Sequence, residues 1–354
     1  MMTGVFDHPW LSGLFADDEI AALWSAEAQL SSMMAFEAAW SRHGHLAGLW
    51  SEKDGASAAS AIRQVMLAPV ALREGTAQDG VCVPALVQLL KQRTGSDAIH
   101  KGATSQDVID TATVLSLVQS LDVLDQRVRL LLNNLSDLKG RFGGVTMMGR
   151  TRMQAAMPIS VADRIETWRL PLLAHHDRLS QLRPRVALVQ IGGAAGDRAA
   201  LGDAADVLGA AVAQDLGLSS TSRSWHATRD GMAEAASVLS LITGSLGKMG
   251  QDICLMAQQG IDEITLAGGG GSSAMPHKQN PVLAELLVTL ARFNATQVSG
   301  MHSAMIHEQE RSGAAWSLEW MLLPQMAQAT GRALNVAKSL VAQIEHIGTS
   351  DQLS

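Results

Sequence analysis

Beyond Ser105, residues Val114, Leu115, Val118, Leu121, Leu124, Val128, Leu132, Leu135 and Leu138 recur at steps of three and four. That spacing stacks them on one face of a single helix. At ~1.5 Å per residue the helix is about 50 Å long, more than a small domain can cover, so it needs similarly long partners in a bundle. Helical spacing dominates the rest of the chain as well. It predicts one amphipathic helix over 18–43 and two or three shorter ones over 56–95, punctuated by Pro69, Pro84 and Gly95. Further helices are expected over 159–190, 197–215, 229–266, 281–306 and 313–346. Alternating strand patterns are scarce, and Asp79-Gly80 leads into none. The reading is all-α, with a smaller N-terminal helical domain over 1–105 and a long-helix bundle over 106–354. Met232 to Gly247 is apolar nearly all round, which predicts burial inside the bundle or against another subunit, and a homo-oligomer would cover it naturally.

Composition narrows the function. A net charge of −7 and no Lys/Arg-rich block argue against nucleic-acid binding, so an anionic substrate must be held by a local cluster of basic groups. Cys82 and Cys254, the only cysteines, sit in apolar or amphipathic stretches and read as reduced thiols of a cytoplasmic protein. Met1 to Trp10 has no basic segment followed by an apolar run, and no apolar stretch reaches the ~18 residues of a membrane span. Neither secretion nor a membrane partner is expected.

The most informative segment runs from Gly268 to Pro281. Four glycines lead into Ser272, Ser273, Ala274, Met275, Pro276, His277, Lys278, Gln279, Asn280 and Pro281. Consecutive glycines give a mobile backbone, the serines offer hydroxyls and amides, and Lys278 and Asn280 can converge on a carboxylate where the next helix begins. A phosphate loop fits poorly, because no Gly-Lys-Ser/Thr follows and no strand precedes. The segment resembles the signature of the fumarase/aspartase superfamily, Gly-Ser-Ser-x-Met-Pro-x-Lys-x-Asn-Pro, at every fixed position. Two further segments resemble that family in the expected order: His100, Lys101, Gly102, Ala103, Thr104, Ser105, Gln106 and Asp107, then Gly149, Arg150, Thr151, Arg152, Met153 and Gln154. Taken alone, Thr104 to Asp107 reads as a helix N-cap and His100 as an ordinary histidine.

The resemblance covers residues 7 to about 346 and implies a cofactor-free, metal-free lyase that moves a proton at the carbon α to a carboxylate. It implies a homotetramer in which each active site draws on three subunits, because the three segments lie far apart within one chain. It also implies that a small C-terminal helical domain found in most members is truncated or absent here. Ser272 corresponds to the family's proton-transfer serine, with Ser273 an alternative, and Lys278 and Asn280 complete the catalytic set. His100, Thr104, Ser105, Arg150, Thr151, Arg152, Gln154, Ser273 and Arg311 are the implied substrate-binding residues. His175-His176, and His302 with His307, lack metal-ligand spacing.

Trp225 to Asp230 and His307 to Trp320 resemble the cycloisomerase branch, which adds a substrate carboxylate across a double bond to close a lactone. Arg152 agrees with that branch on chemical grounds. Expelling an amine calls for a general acid, commonly histidine at this place, whereas a carboxylate with a pKa of about 4 needs no protein proton to attack or leave. A permanently charged guanidinium instead orients a carboxylate. The expected substrate is a small tricarboxylate. Amine-expelling adenylosuccinate or argininosuccinate lyases are the alternative, and a non-catalytic structural protein on the same fold is the other. Gln190 to Gly196 reads as a glycine turn for either close packing or substrate contact.

Overall fold

The computed structural model describes residues 4–271, 275 and 278–349. Three short-to-medium helices open the chain: α1 (Ser12–Phe15), α2 (Asp18–Leu23) and α3 (Ala26–His43). The helix expected over 18–43 is therefore two. Asp17 caps α2 through the Ile20 amide, and Ser25 restarts the backbone as the N-cap of α3 by accepting the Ala28 amide at 3.1 Å. Helices α4 (Glu52–Ile62), α5 (Arg73–Asp79) and α6 (Val83–Thr94) follow, the last two each stopped by a left-handed glycine, Gly80 and Gly95.

The long helix expected from the apolar repeat is α7 (Ser105–Phe142), 38 residues and so about 57 Å. It is followed by α8 (Val161–Val186), α9 (Ala205–Leu216), α10 (Asp230–Met256), α11 (Val282–Ser303) and α12 (Gly313–Ala342). Helices α7, α8, α10, α11 and α12 share one buried core that runs from Val114 and Leu117 to Leu340 and Val341. A second core joins α3, α4, α6 and α9 to the first turns of α7, around Phe36, Trp40, Leu86, Val108 and Leu208.

Helix α10 threads the middle of the bundle between α8, α11 and α12. Its approach to α11 is close enough that a Cβ on Gly250 would lie 2.5 Å from the Ala284 carbonyl oxygen, and one on Gly247 2.4 Å from the Ala291 Cβ. Met232 to Gly247 is therefore covered by its own chain, with Leu241 the large apolar side chain left exposed there. The apolar stretch does not itself require a second subunit.

Among the described residues, four short strands depart from the purely helical expectation. Strands β1 (Thr146–Thr151) and β2 (Gln154–Ser160) form an antiparallel hairpin after α7, and β3 (Ile264–Leu266) pairs with β4 (Ile344–Ile347). The helix expected over 229–266 therefore ends at Met256, and that over 313–346 ends at Ala342. Both strand pairs lie at the same end of the bundle, because the Glu263 side chain accepts the Met148 amide and Thr349 donates to the Thr146 carbonyl.

Candidate active site

The start of α7 and the hairpin after it mark two ends of the bundle, about 57 Å apart along the helix. The expected site residues divide between those ends.

At the first end, Thr104 and Asp107 close a capping box on α7, with the Thr104 amide donating to Asp107 Oδ2 at 3.0 Å. Asp107 is fully buried and takes three more donors: the Gly192 amide at 2.8 Å, the Gly193 amide at 3.1 Å and His226 Nε2 at 2.8 Å. The Gln190 to Gly196 turn is thereby fastened beside Thr104 and Ser105. Its glycines answer to packing: a Cβ on Gly192 would come within 2.5 Å of His226 Cε1 and Ser224 Oγ. Arg311 reaches the same place, with Nε donating to Gln106 Oε1 at 2.9 Å and Nη2 near the Ala194 carbonyl at 3.4 Å. His100 precedes the turn, its Nδ1 2.6 Å from Glu37 Oε1. The structure thus brings His100, Thr104, Ser105 and Arg311 together, with the amides of a long helix N-terminus among them, a setting that favours an anion.

Beneath this surface lies a buried ionic layer. Arg229, 2% exposed, forks onto Asp110 at 2.7 and 3.1 Å and onto Glu319, whose Oε1 lies 2.9 Å from Nε. Trp316 Nε1 donates to Asp110 at 2.8 Å, and the Trp225 ring covers the guanidinium at 4.9 Å. Burial opposes the charge on Arg229, but Asp110 and Glu319 outweigh it and raise the pKa above the usual arginine value. The Trp225 and Trp316 segments therefore build the support on which Thr104 and Arg311 sit.

At the second end, Arg150, Thr151, Arg152 and Gln154 lie on the exposed β1–β2 hairpin. Thr151 pairs with Gln154, which leaves Arg152 and Met153 as a two-residue turn with φ of +49° and +66°. Positive φ at both central positions is the turn that normally takes Asn-Gly, and two non-glycine residues there carry backbone strain. Arg150 turns back instead, pairing with Glu263 at 2.6 Å. A cavity of about 410 Å³ lies here, bordered by Arg150, Arg152, Arg164, Asp252 and Glu263.

The glycine-rich segment leaves β3 at the same end. Gly270 and Asn280 exchange backbone hydrogen bonds of 2.9 and 3.0 Å, which ties the two flanks of the signature segment together. Gly270 must be small, because a Cβ there would meet Val282 Cγ2 at 2.5 Å. Lys278 lies exposed near that pair, its amide donating to the Met275 carbonyl at 3.0 Å. Ser272 and Ser273 lie outside the described residues.

Sequence reasoning missed Asp107 as the hub of the first end, although Asp at the third position after Thr104 is the signal of a capping box. It also missed Glu37 and Glu263, which lie 63 and 113 residues from their partners and leave no local signal.

A long α bundle with these segments at the two ends of its helices is the architecture of a fumarase/aspartase-type lyase. A family model described as lyase matches residues 13–300, and the chain belongs to that family. Among its relatives, the chain is 38% identical over 353 residues to 3-carboxy-cis,cis-muconate cycloisomerase of Pseudomonas aeruginosa, covering 97% of this chain and 77% of the relative. It is 33% identical to the cycloisomerase of the same name from Acinetobacter baylyi, covering 95% and 78%. The crystal structure of 3-carboxy-cis,cis-muconate lactonizing enzyme from Pseudomonas putida superposes with a TM-score of 0.87 at 33% identity, covering 96% of this chain and 77% of that one.

Proposed function

We propose that the chain is a 3-carboxy-cis,cis-muconate cycloisomerase, in which a substrate carboxylate adds across a C=C bond and a proton is placed on the carbon α to a second carboxylate. The observation that carries this reading is the match to cycloisomerases along nearly the whole chain, joined to an arginine at 152 where an amine-expelling lyase would need an acid. Ser272, or Ser273 beside it, transfers the proton. Lys278 and Asn280, with Thr104, Ser105 and loop amides, stabilise the charge that collects on the carboxylate. His100, Arg150, Thr151, Arg152, Gln154 and Arg311 bind the substrate's three carboxylates. Arg150 and Arg311 do so from positions already fixed by Glu263 and Gln106.

One chain holds these groups at opposite ends of a helix about 57 Å long, so the complete site forms between subunits of a homo-oligomer, a cytoplasmic tetramer. Leu170 and Leu173 on α8 and Leu241 on α10, 55%, 37% and 49% exposed, supply apolar surface for that assembly. Residues 1–105 and 106–354 act as its N-terminal and bundle domains. No described helix is long and apolar enough to cross a membrane.

Arg152 gives the reading a direct mutational test. Charged hydrogen bonds of the guanidinium–carboxylate type are worth about 1.5 to 3 kcal/mol, so Arg152→Ala should lower kcat/KM on carboxymuconate by about 10- to 100-fold. Arg152→Lys keeps the charge, loses the fork and should fall between. Steady-state kinetics of both variants check this, and wild-type efficiency in Arg152→Ala would make the residue a bystander.

A further inference from the structure

Glu37 sits in the middle of α3 with no exposed surface, between Phe36 and Trp40, whose rings stack at 5.8 Å. Its Oε1 meets His100 Nδ1 at 2.6 Å, and its buried Oε2 has no hydrogen-bond partner among the described residues. A carboxylate withdrawn from water this completely is tolerable only against a positive charge. His100 is the group placed to supply it, and its backbone is held at φ +64°, a conformation uncommon for a side chain this large. Trp40 Nε1 fixes the adjacent turn by donating to the Lys101 carbonyl at 3.1 Å. With Nδ1 committed to Glu37, Nε2 is the nitrogen left for a ligand, on a side chain that keeps 21% of its surface exposed.

We infer that Glu37 is a positioning residue that holds His100 as an imidazolium, so that His100 Nε2–H binds a carboxylate of the substrate and does not act as a base. The inference rests on the cycloisomerase reading for the identity of that carboxylate. The surroundings are consistent in sign. Burial and Lys91 lower the His100 pKa, but the hydrogen bond and charge of Glu37, with Asp107 behind, outweigh them and raise it. The Lys101 ammonium is directed to the Leu49 carbonyl at 3.5 Å, and Asp107 is itself engaged by His226. A cation here would complement the amides at the α7 N-terminus, where a second anion-binding group adds most.

The test uses the intact oligomer and two readouts. Diethyl pyrocarbonate modifies neutral imidazole, so the pH midpoint of modification at the His100 peptide, followed by mass spectrometry, reports its charge without substrate. The midpoint should lie above the ordinary histidine value of about 6.5 in the wild type and fall by about one pH unit or more in Glu37→Gln. On carboxymuconate, Glu37→Gln should keep near-normal KM at pH 6 and show about tenfold higher KM at pH 8, with kcat less affected. His100→Gln should raise KM at every pH, and adding Glu37→Gln to it should change nothing more. An unmoved midpoint, or a loss in Glu37→Gln that is equal at all pH values, would overturn the inference. If Glu37→Gln does not fold, a wild-type midpoint at or below about 6.5 overturns it and a raised one supports it. A raised midpoint in a protein that leaves carboxymuconate untouched would refute the activity while retaining the ion pair.

Discussion

Ser272→Ala should turn over carboxymuconate at least two to three orders of magnitude more slowly than the wild type with a smaller change in substrate affinity, the usual scale for removal of a proton-transfer group. Thr104→Ala should also be nearly inactive, since it removes the hydroxyl at the start of α7. Co-assembled, the two variants should regain activity above either alone. The reason is geometric: Thr104 opens α7, whereas the segment containing Ser272 leaves β3 at the far end of the same bundle, about 57 Å away along the helix. A site that needs both must take them from different subunits, and a mixed oligomer then contains sites that received neither substitution. Rates measured on mixtures refolded or subunit-exchanged at several ratios check this. Mixtures that never exceed the parents would contradict shared sites, and near-normal turnover in Ser272→Ala would remove the serine from the reaction.

Arg229→Leu should destabilise the fold by about 3 to 5 kcal/mol, the cost expected when one partner of a fully buried ion pair is removed and its counter-charges are left behind. Two carboxylates depend on this guanidinium. Asp110 is 1% exposed and Glu319 3%, and Trp225 loses the cation beneath its ring. Urea unfolding followed by tryptophan fluorescence reads the effect, because Trp225 and Trp316 both contact the layer. Arg229→Lys should recover part of the loss, since it restores the charge without the fork. A shift below about 1 kcal/mol in Arg229→Leu would show that the layer contributes nothing net to stability.

The helical bundle was legible because its signal is dense: one apolar residue at every third or fourth position from Val114 to Leu138, about seven turns of α7, specifies a helix. The strands were not. β3 and β4 are three and four residues long, too short for alternation to register, and the β1–β2 turn is Arg152-Met153 where the usual hairpin signal is Asn-Gly or Gly. The break at Ser25 was hidden because the apolar spacing continues through it and only the cap marks it. For the candidate site, the proposed chemistry rests on residue types, because Arg152 and the Ser272, Lys278 and Asn280 set each stand in one continuous string. The supports were invisible for the opposite reason. Glu37, Asp110 and Glu263 act through partners more than 60 residues away, and an acidic residue in an amphipathic helix looks like any other until its partner is placed beside it.

The most direct test of the whole account is to mix the purified protein with 3-carboxy-cis,cis-muconate and follow the ultraviolet absorbance of the conjugated diene, with adenylosuccinate as the parallel substrate. The diene absorbance should fall with turnover, as one double bond is consumed by lactone closure, and adenylosuccinate should remain intact. An unchanged diene spectrum together with cleavage of adenylosuccinate would contradict the cycloisomerase reading and assign the bundle to an amine-expelling lyase.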